Sequence, residues 1–219
     1  MKEQNPMRPG HPGGQQSLET LQDIKMMMER STRFISLSGL SGIAAGICAL
    51  AGSYIAKGII DSYYKQFSDA GFSSSSFHHL KLDLLLVALF VLVTAWVTAF
   101  YFTWRKARHD KQPVWNSVSK RLTANMFIPL VAGGVFILAM LQHDDWQYVS
   151  SVSLIFYGLA LVNASKYTLT DVRYLGFCEI ILGLVNTQYI GYGLYFWAMG
   201  FGVLHIIYGF AMWWKYEKV

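Results

Sequence analysis

The chain has 219 residues, of which 53% are hydrophobic, 16% aromatic and only 14% charged, with a formal net charge of +5. Soluble domains carry roughly 25% charged residues, and the mean hydropathy here is positive. A disordered chain is excluded, because disorder needs low hydrophobicity and high charge. Two cysteines in a chain this long exclude a disulfide scaffold.

Residues 1–16 (MKEQNPMRPGHPGGQQ) are rich in Pro, Gly and Gln and offer almost nothing to bury, which predicts a disordered arm. Residues 17–33 predict a short amphipathic juxtamembrane helix. Ser17 is its N-cap, Glu19 and Asp23 suit the positive end of its dipole, and Leu18, Leu21, Ile24 and Met28 form an apolar stripe. Such a stripe suits a membrane surface, or failing that a partner helix. The run Met26-Met27-Met28 points around the helix instead of converging, so it reads as adaptable packing and not as a copper site.

Six apolar stretches follow, at 34–56, 84–104, 122–141, 146–165, 174–188 and 190–214, and together they hold a single charged residue, Glu179. A soluble amphipathic helix shows charge on one face at every turn; these are apolar all round. Five of the six reach the roughly 20 residues needed to cross a 30 Å hydrocarbon core. The fifth is shorter and contains the glutamate. The expected fold is therefore all-α and polytopic, with six transmembrane helices filling a domain at 34–214 and a cytoplasmic tail at 215–219. A β-barrel would alternate apolar and polar residues, and residues 88–102 do not.

Lys and Arg set the orientation. Alternate compartments hold fifteen on one side and three on the other, so both termini are expected in the cytoplasm, with the chain integral to a plasma or bacterial inner membrane. The polar start followed by a long span predicts no cleavable signal peptide. Trp104, Trp146, Trp213 and Trp214 fall at span ends, where amphipathic rings prefer the headgroups, whereas Trp96 and Trp197 are expected to pack inside. In the loop at 57–81, Tyr63, Tyr64, Phe67 and Phe72 suggest an interfacial helix, and Ser73 to Ser76 a flexible linker. The basic loop at 105–121 fits anionic headgroups; positive-inside charge explains it without a nucleic acid.

Small residues at Ser38, Gly42 and Gly46, and at Ala198 and Gly202, recur every fourth position. Such rows let helices approach closely, either within one chain or in a homo-oligomer. Pro129 followed by Gly133-Gly134 predicts a kink in the third span. The hexapeptides starting at Ile155 and Ile206 (IFYGLA and IIYGFA) suggest a repeated helical hairpin.

Two constellations carry candidate chemistry. Glu179 is an acid at membrane depth, a costly placement that marks function or a specific partner. Counted from the turn near Ile190 at 1.5 Å per residue, it lies about 17 Å deep and His205 about 22 Å, so the two are expected to meet. Asn125, Asn163 and Asn186 add polarity, with Tyr157, Tyr192, Tyr195 and Tyr208. This set reads as a pocket that titrates or binds a ligand, or as a packing hydrogen bond. The second lies on the outer face. His78, His79 and Asp83 begin one span and His143, Asp144 and Asp145 follow the next, all residue types that ligate Zn, Ni or Mn, but at no defined metal spacing.

Cys48 and Cys178 fall at different depths, which argues against a disulfide. There is no GxSxG or Walker motif, and Gly191-Tyr192-Gly193 is too short for a phosphate loop, so no cofactor is expected. The sequence points to a non-enzymatic membrane scaffold, sensor or partner-binding subunit. The alternatives are a small transporter or channel built on Glu179 and His205, and an outer-face metal protein or membrane enzyme using His78, His79 and His143.

Overall fold

A computed structural model describes residues 38–70, 74–111 and 115–218, all of it helix, turn or connecting segment. The expected arm and juxtamembrane helix, at 1–33, lie outside the described residues. Six helices follow in order: α1 (Gly39–Ala70), α2 (Ser74–His109), α3 (Ser117–Gln142), α4 (Val149–Ala164, entered through a 3₁₀ turn at Trp146–Tyr148), α5 (Asp171–Asn186) and α6 (Gly193–Tyr216). Within α6, Ala198–Leu204 is wound as a π-helix. Five segments are long and apolar enough to cross a membrane: Gly39–Ser68, Ser76–His109, Ser117–Gln142, Trp146–Ala164 and Gly193–Tyr216. At 16 residues, α5 is shorter than any of them.

The helices run longer than the apolar stretches that mark them. The expected interfacial helix around Tyr63 is the continuation of α1, and the expected serine linker is mostly helix, since α2 begins at Ser74. Side-chain contacts at both ends show that successive helices alternate in direction. At the basic end, Glu217 after α6 accepts from the Gly39 backbone N–H that opens α1 (2.6 Å), from Ser38 Oγ (3.3 Å) and from Lys106 Nζ near the end of α2 (3.1 Å). An anion at a helix start answers both its free N–H groups and its dipole, so the terminal segment ties three helices together. Lys215 and Tyr216 meet the first residue of α5, Asp171, at 2.8 and 2.9 Å. At the other end Lys81 on α2 pairs with Asp144 after α3, and Phe77 meets Trp146 edge to face.

The interior is built by α1, α4, α5 and α6, while α2 packs on α1 and α3 on α4. The outer helices turn large apolar residues outward, among them Leu86, Phe90 and Trp96 on α2 and Ile128, Val131 and Val135 on α3. Trp96, expected inside, is exposed and stacks on Phe100, whereas Trp197 packs against Phe201 at 5.1 Å. Contiguous exposed apolar surface of this extent is foreign to a water-soluble monomer.

Glycine sets two close helix crossings. On α1 and α6, a Cβ at Gly209 would lie 2.6 Å from the Gly39 carbonyl oxygen and the Ile43 nitrogen, and one at Gly46 would lie 2.7 Å from the Gly202 carbonyl oxygen. Gly42 faces Gly209 Cα at the same crossing, so Gly42, Gly46 and Gly202 of the small-residue rows are engaged inside the chain. On α4 and α5, Gly158 and Gly176 each face the other's carbonyl oxygen, at 2.6 and 2.8 Å. The two Tyr-Gly pairs of the expected repeat thus do similar local work, each glycine sitting at a crossing, Gly158 against α5 and Gly209 against α1.

Changing Gly209 to Ala drives a methyl group into backbone that cannot swing away. A loss of about 1–3 kcal/mol is expected, the usual cost of overpacking. Gly58, with nothing within 4 Å of its Cβ position, is the control: Gly58→Ala is expected to be neutral or to gain up to about 1 kcal/mol of helix propensity. Equilibrium unfolding in mixed detergent micelles measures both.

Candidate functional site

One stripe of α5 is buried: Val172, Leu175, Gly176, Glu179, Gly183 and Asn186. These fall at helical spacing on a single face, so whatever buries Gly176 and Gly183 against α4 buries Glu179 as well. The glutamate is 0% exposed, and neither carboxyl oxygen has a hydrogen-bond partner among the described residues. An unanswered buried carboxylate costs several kcal/mol, so this position demands an explanation.

The expected partner is present. His205 Nδ1 lies 3.4 Å from Glu179 Oε1, but its hydrogen bond goes elsewhere, to the Gly200 carbonyl oxygen at 3.0 Å. A carbonyl only accepts, so Nδ1 carries the proton. His205 Nε2 is then the acceptor for Tyr157 Oη, 2.8 Å away on α4. Phe201 packs its ring on Tyr157 at 5.0 Å and on His205 at 6.1 Å, closing the aromatic side of the site.

The π segment is part of this arrangement. It carries Gly200, whose carbonyl meets His205, and a Cβ at Gly200 would lie 2.5 Å from Glu179 Oε2. Leu154 and Leu182 flank the same point. Glycine at 200 is therefore what lets the carboxyl group lie against the backbone of α6. A π turn inside an α-helix is uncommon and concentrates at functional sites.

The remaining expected polar residues separate into two places. Asn186 is buried at the far end of α5, where its Nδ2 donates to Ser150 Oγ (3.0 Å), which donates in turn to the Gly193 carbonyl (2.6 Å). Asn125 and Asn163 join α3 to α4 toward the basic end. Pro129 lacks the N–H that would bond to the carbonyl four residues earlier, and that carbonyl belongs to Asn125. Asn163 Nδ2 donates to it at 2.7 Å. The helix α3 continues through Pro129, and the freed carbonyl is satisfied from the neighbouring helix.

On the opposite face, no group of three or more His, Cys, Asp or Glu among the described residues is placed to hold a metal ion. Of the expected set His78, His79, Asp83, His143, Asp144 and Asp145, it is Asp144 that has a strong partner, Lys81. The lysine's hydrogen bond and charge hold the Asp144 carboxyl below the usual carboxylate range. Cys48 and Cys178 are free. The roles of Gly200, Ser150 and Glu217 escape the sequence reading. Gly200 carries a faint signal, since it sits two residues before a glycine in the small-residue row.

Comparison with protein-family profiles, curated proteins and solved structures finds no match to this chain. Its reading rests on its own residues.

Two substitutions test these assignments. Tyr157→Phe removes the donor to His205 Nε2 and is expected to cost about 1–3 kcal/mol, the penalty of an orphaned buried acceptor. Asn163→Ala is expected to destabilise the wild-type chain but to cost less in a Pro129→Ala background, where residue 129 regains its N–H. A coupling energy of roughly 0.5–2 kcal/mol in the double-mutant cycle is the expected result, and strict additivity contradicts the explanation.

Proposed function

We propose that this chain is a six-span integral membrane protein of a plasma or bacterial inner membrane, both termini cytoplasmic, acting as a non-enzymatic sensor, scaffold or partner-binding subunit. The observation that carries the sixth span is the placement of α5. It runs beside α4 and α6 from the basic end to the opposite one, with Phe177, Ile181, Leu184 and Val185 exposed on its outer side. At 1.5 Å per residue its length is about 24 Å, enough for most of a hydrocarbon core when the flanking loops dip toward it. The bilayer is then the partner of the outward apolar faces of α2 and α3. A second copy would meet one of these faces, since Gly42, Gly46 and Gly202 are engaged within the chain.

The sensor role is supported by the character of the site, which is sealed, polar and wired to a π segment at the centre of the bundle. A second reading, a small transporter or channel, is favoured by the unanswered carboxyl oxygens of Glu179 beside that same segment. The two readings differ in whether anything crosses.

Reporter fusions test the topology. A cytoplasmic fluorescent reporter is expected to work after Lys166 and at the C-terminus, and alkaline phosphatase after Asp144 and after Tyr189. Cytoplasmic fluorescence after Tyr189 overturns the sixth span, and phosphatase activity after Lys166 overturns the orientation. Proteoliposomes holding a pH dye decide between the readings. Under an imposed gradient the sensor reading expects no more proton flux than protein-free vesicles show, and flux abolished by Glu179→Gln favours transport.

A further inference from the structure

We propose that Glu179, His205 and Tyr157 form a proton-binding site that exchanges with the basic face of the bundle through Tyr208. The inference rests on the membrane reading above and supplies that reading with its ligand, a proton. Among the described residues the buried side-chain atoms without a hydrogen-bond partner are the two Glu179 oxygens and the Tyr208 hydroxyl. Glu179 Oε1 faces His205 Nδ1, and Tyr157 Oη faces Nε2 on the other edge of the ring. Tyr157 and Tyr208 pack against the same buried cluster of Leu161, Leu169, Val172, Leu175 and Met212, and Asp171 and Tyr216 sit at the basic end, joined at 2.9 Å. Hydroxyls both donate and accept, so the file Asp171, Tyr216, Tyr208, Tyr157, His205, Glu179 has relay groups throughout. Beside Glu179 Oε2, around Gly200, stand Leu154 and Leu182, which have none.

The geometry also gives the loading step. A proton reaching Tyr157 Oη passes to His205 Nε2 as the hydroxyl takes the incoming one, making an imidazolium. The proton on Nδ1 then moves to Glu179 Oε1, 3.4 Å away. One proton has entered and one carboxylate has become a neutral acid. His205 ends as the opposite tautomer, its Nε2–H donating to Tyr157 Oη and its Nδ1 accepting from the new acid. No charge is left over. The Gly200 carbonyl loses the donor it had at 3.0 Å, so occupancy is felt by the π segment Ala198–Leu204 and by the α1 crossing one turn beyond it. The elements packed against α5 here are α4 and α6; the titratable group of α6 that faces the carboxyl is His205, with Tyr157 of α4 bonded to its far nitrogen and Tyr208 further along α6. The charged residues of α5 itself, Asp171 and Arg173, are at its first turn, Asp171 paired with Lys215.

The test uses the full chain, labelled with ¹³C-glutamate and ¹⁵N-histidine, in liposomes of known orientation. Infrared difference spectra follow a pH step applied to one side. The expected result is a protonated-carboxyl band that is lost in Glu179→Gln and responds to pH at the basic face. In Tyr208→Phe the band is expected to remain while its exchange slows by roughly tenfold or more, the scale of a lost proton-transfer group. The His205 nitrogen shifts should exchange tautomer with the same midpoint, a readout that needs no variant to fold. A band that is fixed across the pH range in inserted protein, or one that responds equally fast in Tyr208→Phe, overturns the proposal alone. Failure of the chain to float with liposomes overturns the membrane reading, and the proposal falls with it.

Discussion

The backbone of α6 has to come close to α1 on one side and to the Glu179 carboxyl on the other, and everything buried in this molecule depends on glycine allowing both. Gly209 and Gly202 face α1, while Gly200 faces α5, where a Cβ would stand 2.5 Å from Glu179 Oε2. In a membrane there is no hydrophobic gain in moving a helix from lipid to protein; close packing and hydrogen bonds must supply the association. Short approach distances are therefore the energy source of the fold. The same approach that holds the bundle together delivers a backbone carbonyl and an imidazole to the acid.

This explains why the polar groups are distributed as they are. Several polar side chains sit where a helix has an unmet backbone group or a crossing partner. Asn163 answers the carbonyl released by Pro129, Ser150 bridges Asn186 to the carbonyl of Gly193, and Glu217 closes the open start of α1. In hydrocarbon such atoms find no water, so a group left alone there is costly. Glu179 and Tyr208 depart from the pattern. A protein that satisfies its other breaks from across the bundle, yet keeps a carboxyl group unanswered at 3.4 Å from an imidazole, places its one large electrostatic penalty where a proton relieves it.

Much of this was legible in the sequence, for physical reasons that differ by feature. Apolar stretches without charge report membrane-crossing length directly, and the structure returns five such helices. The meeting of Glu179 with His205 followed from depth counting, which works because the rise per residue is constant and the two helices are antiparallel neighbours. What composition could not report was the true extent of the helices. The tyrosine-rich segment after residue 56 and the serines before Phe77 are polar enough to read as loop, but a helix leaving the hydrocarbon loses no hydrogen bonds by continuing into water. Nor could the sequence say that Nδ1 of His205 turns to Gly200, because that depends on the π winding. The winding falls where α6 lies against both α1 and α5.

The π segment is also where the two halves of the structure are coupled. An α-helix with all its hydrogen bonds made is stiff along its axis, and a change of state at one residue is not passed far. Ala198–Leu204 is wound more widely, and its Gly200 carbonyl is held by a side chain, His205 Nδ1. Side chains change partner far more readily than helical backbone does. A proton passed from His205 Nδ1 to Glu179 would free the Gly200 carbonyl in this stretch, which touches α1 through Gly202 and Leu50 and α5 through Gly200. The acid, the imidazole and the helix crossing are thus one mechanical unit.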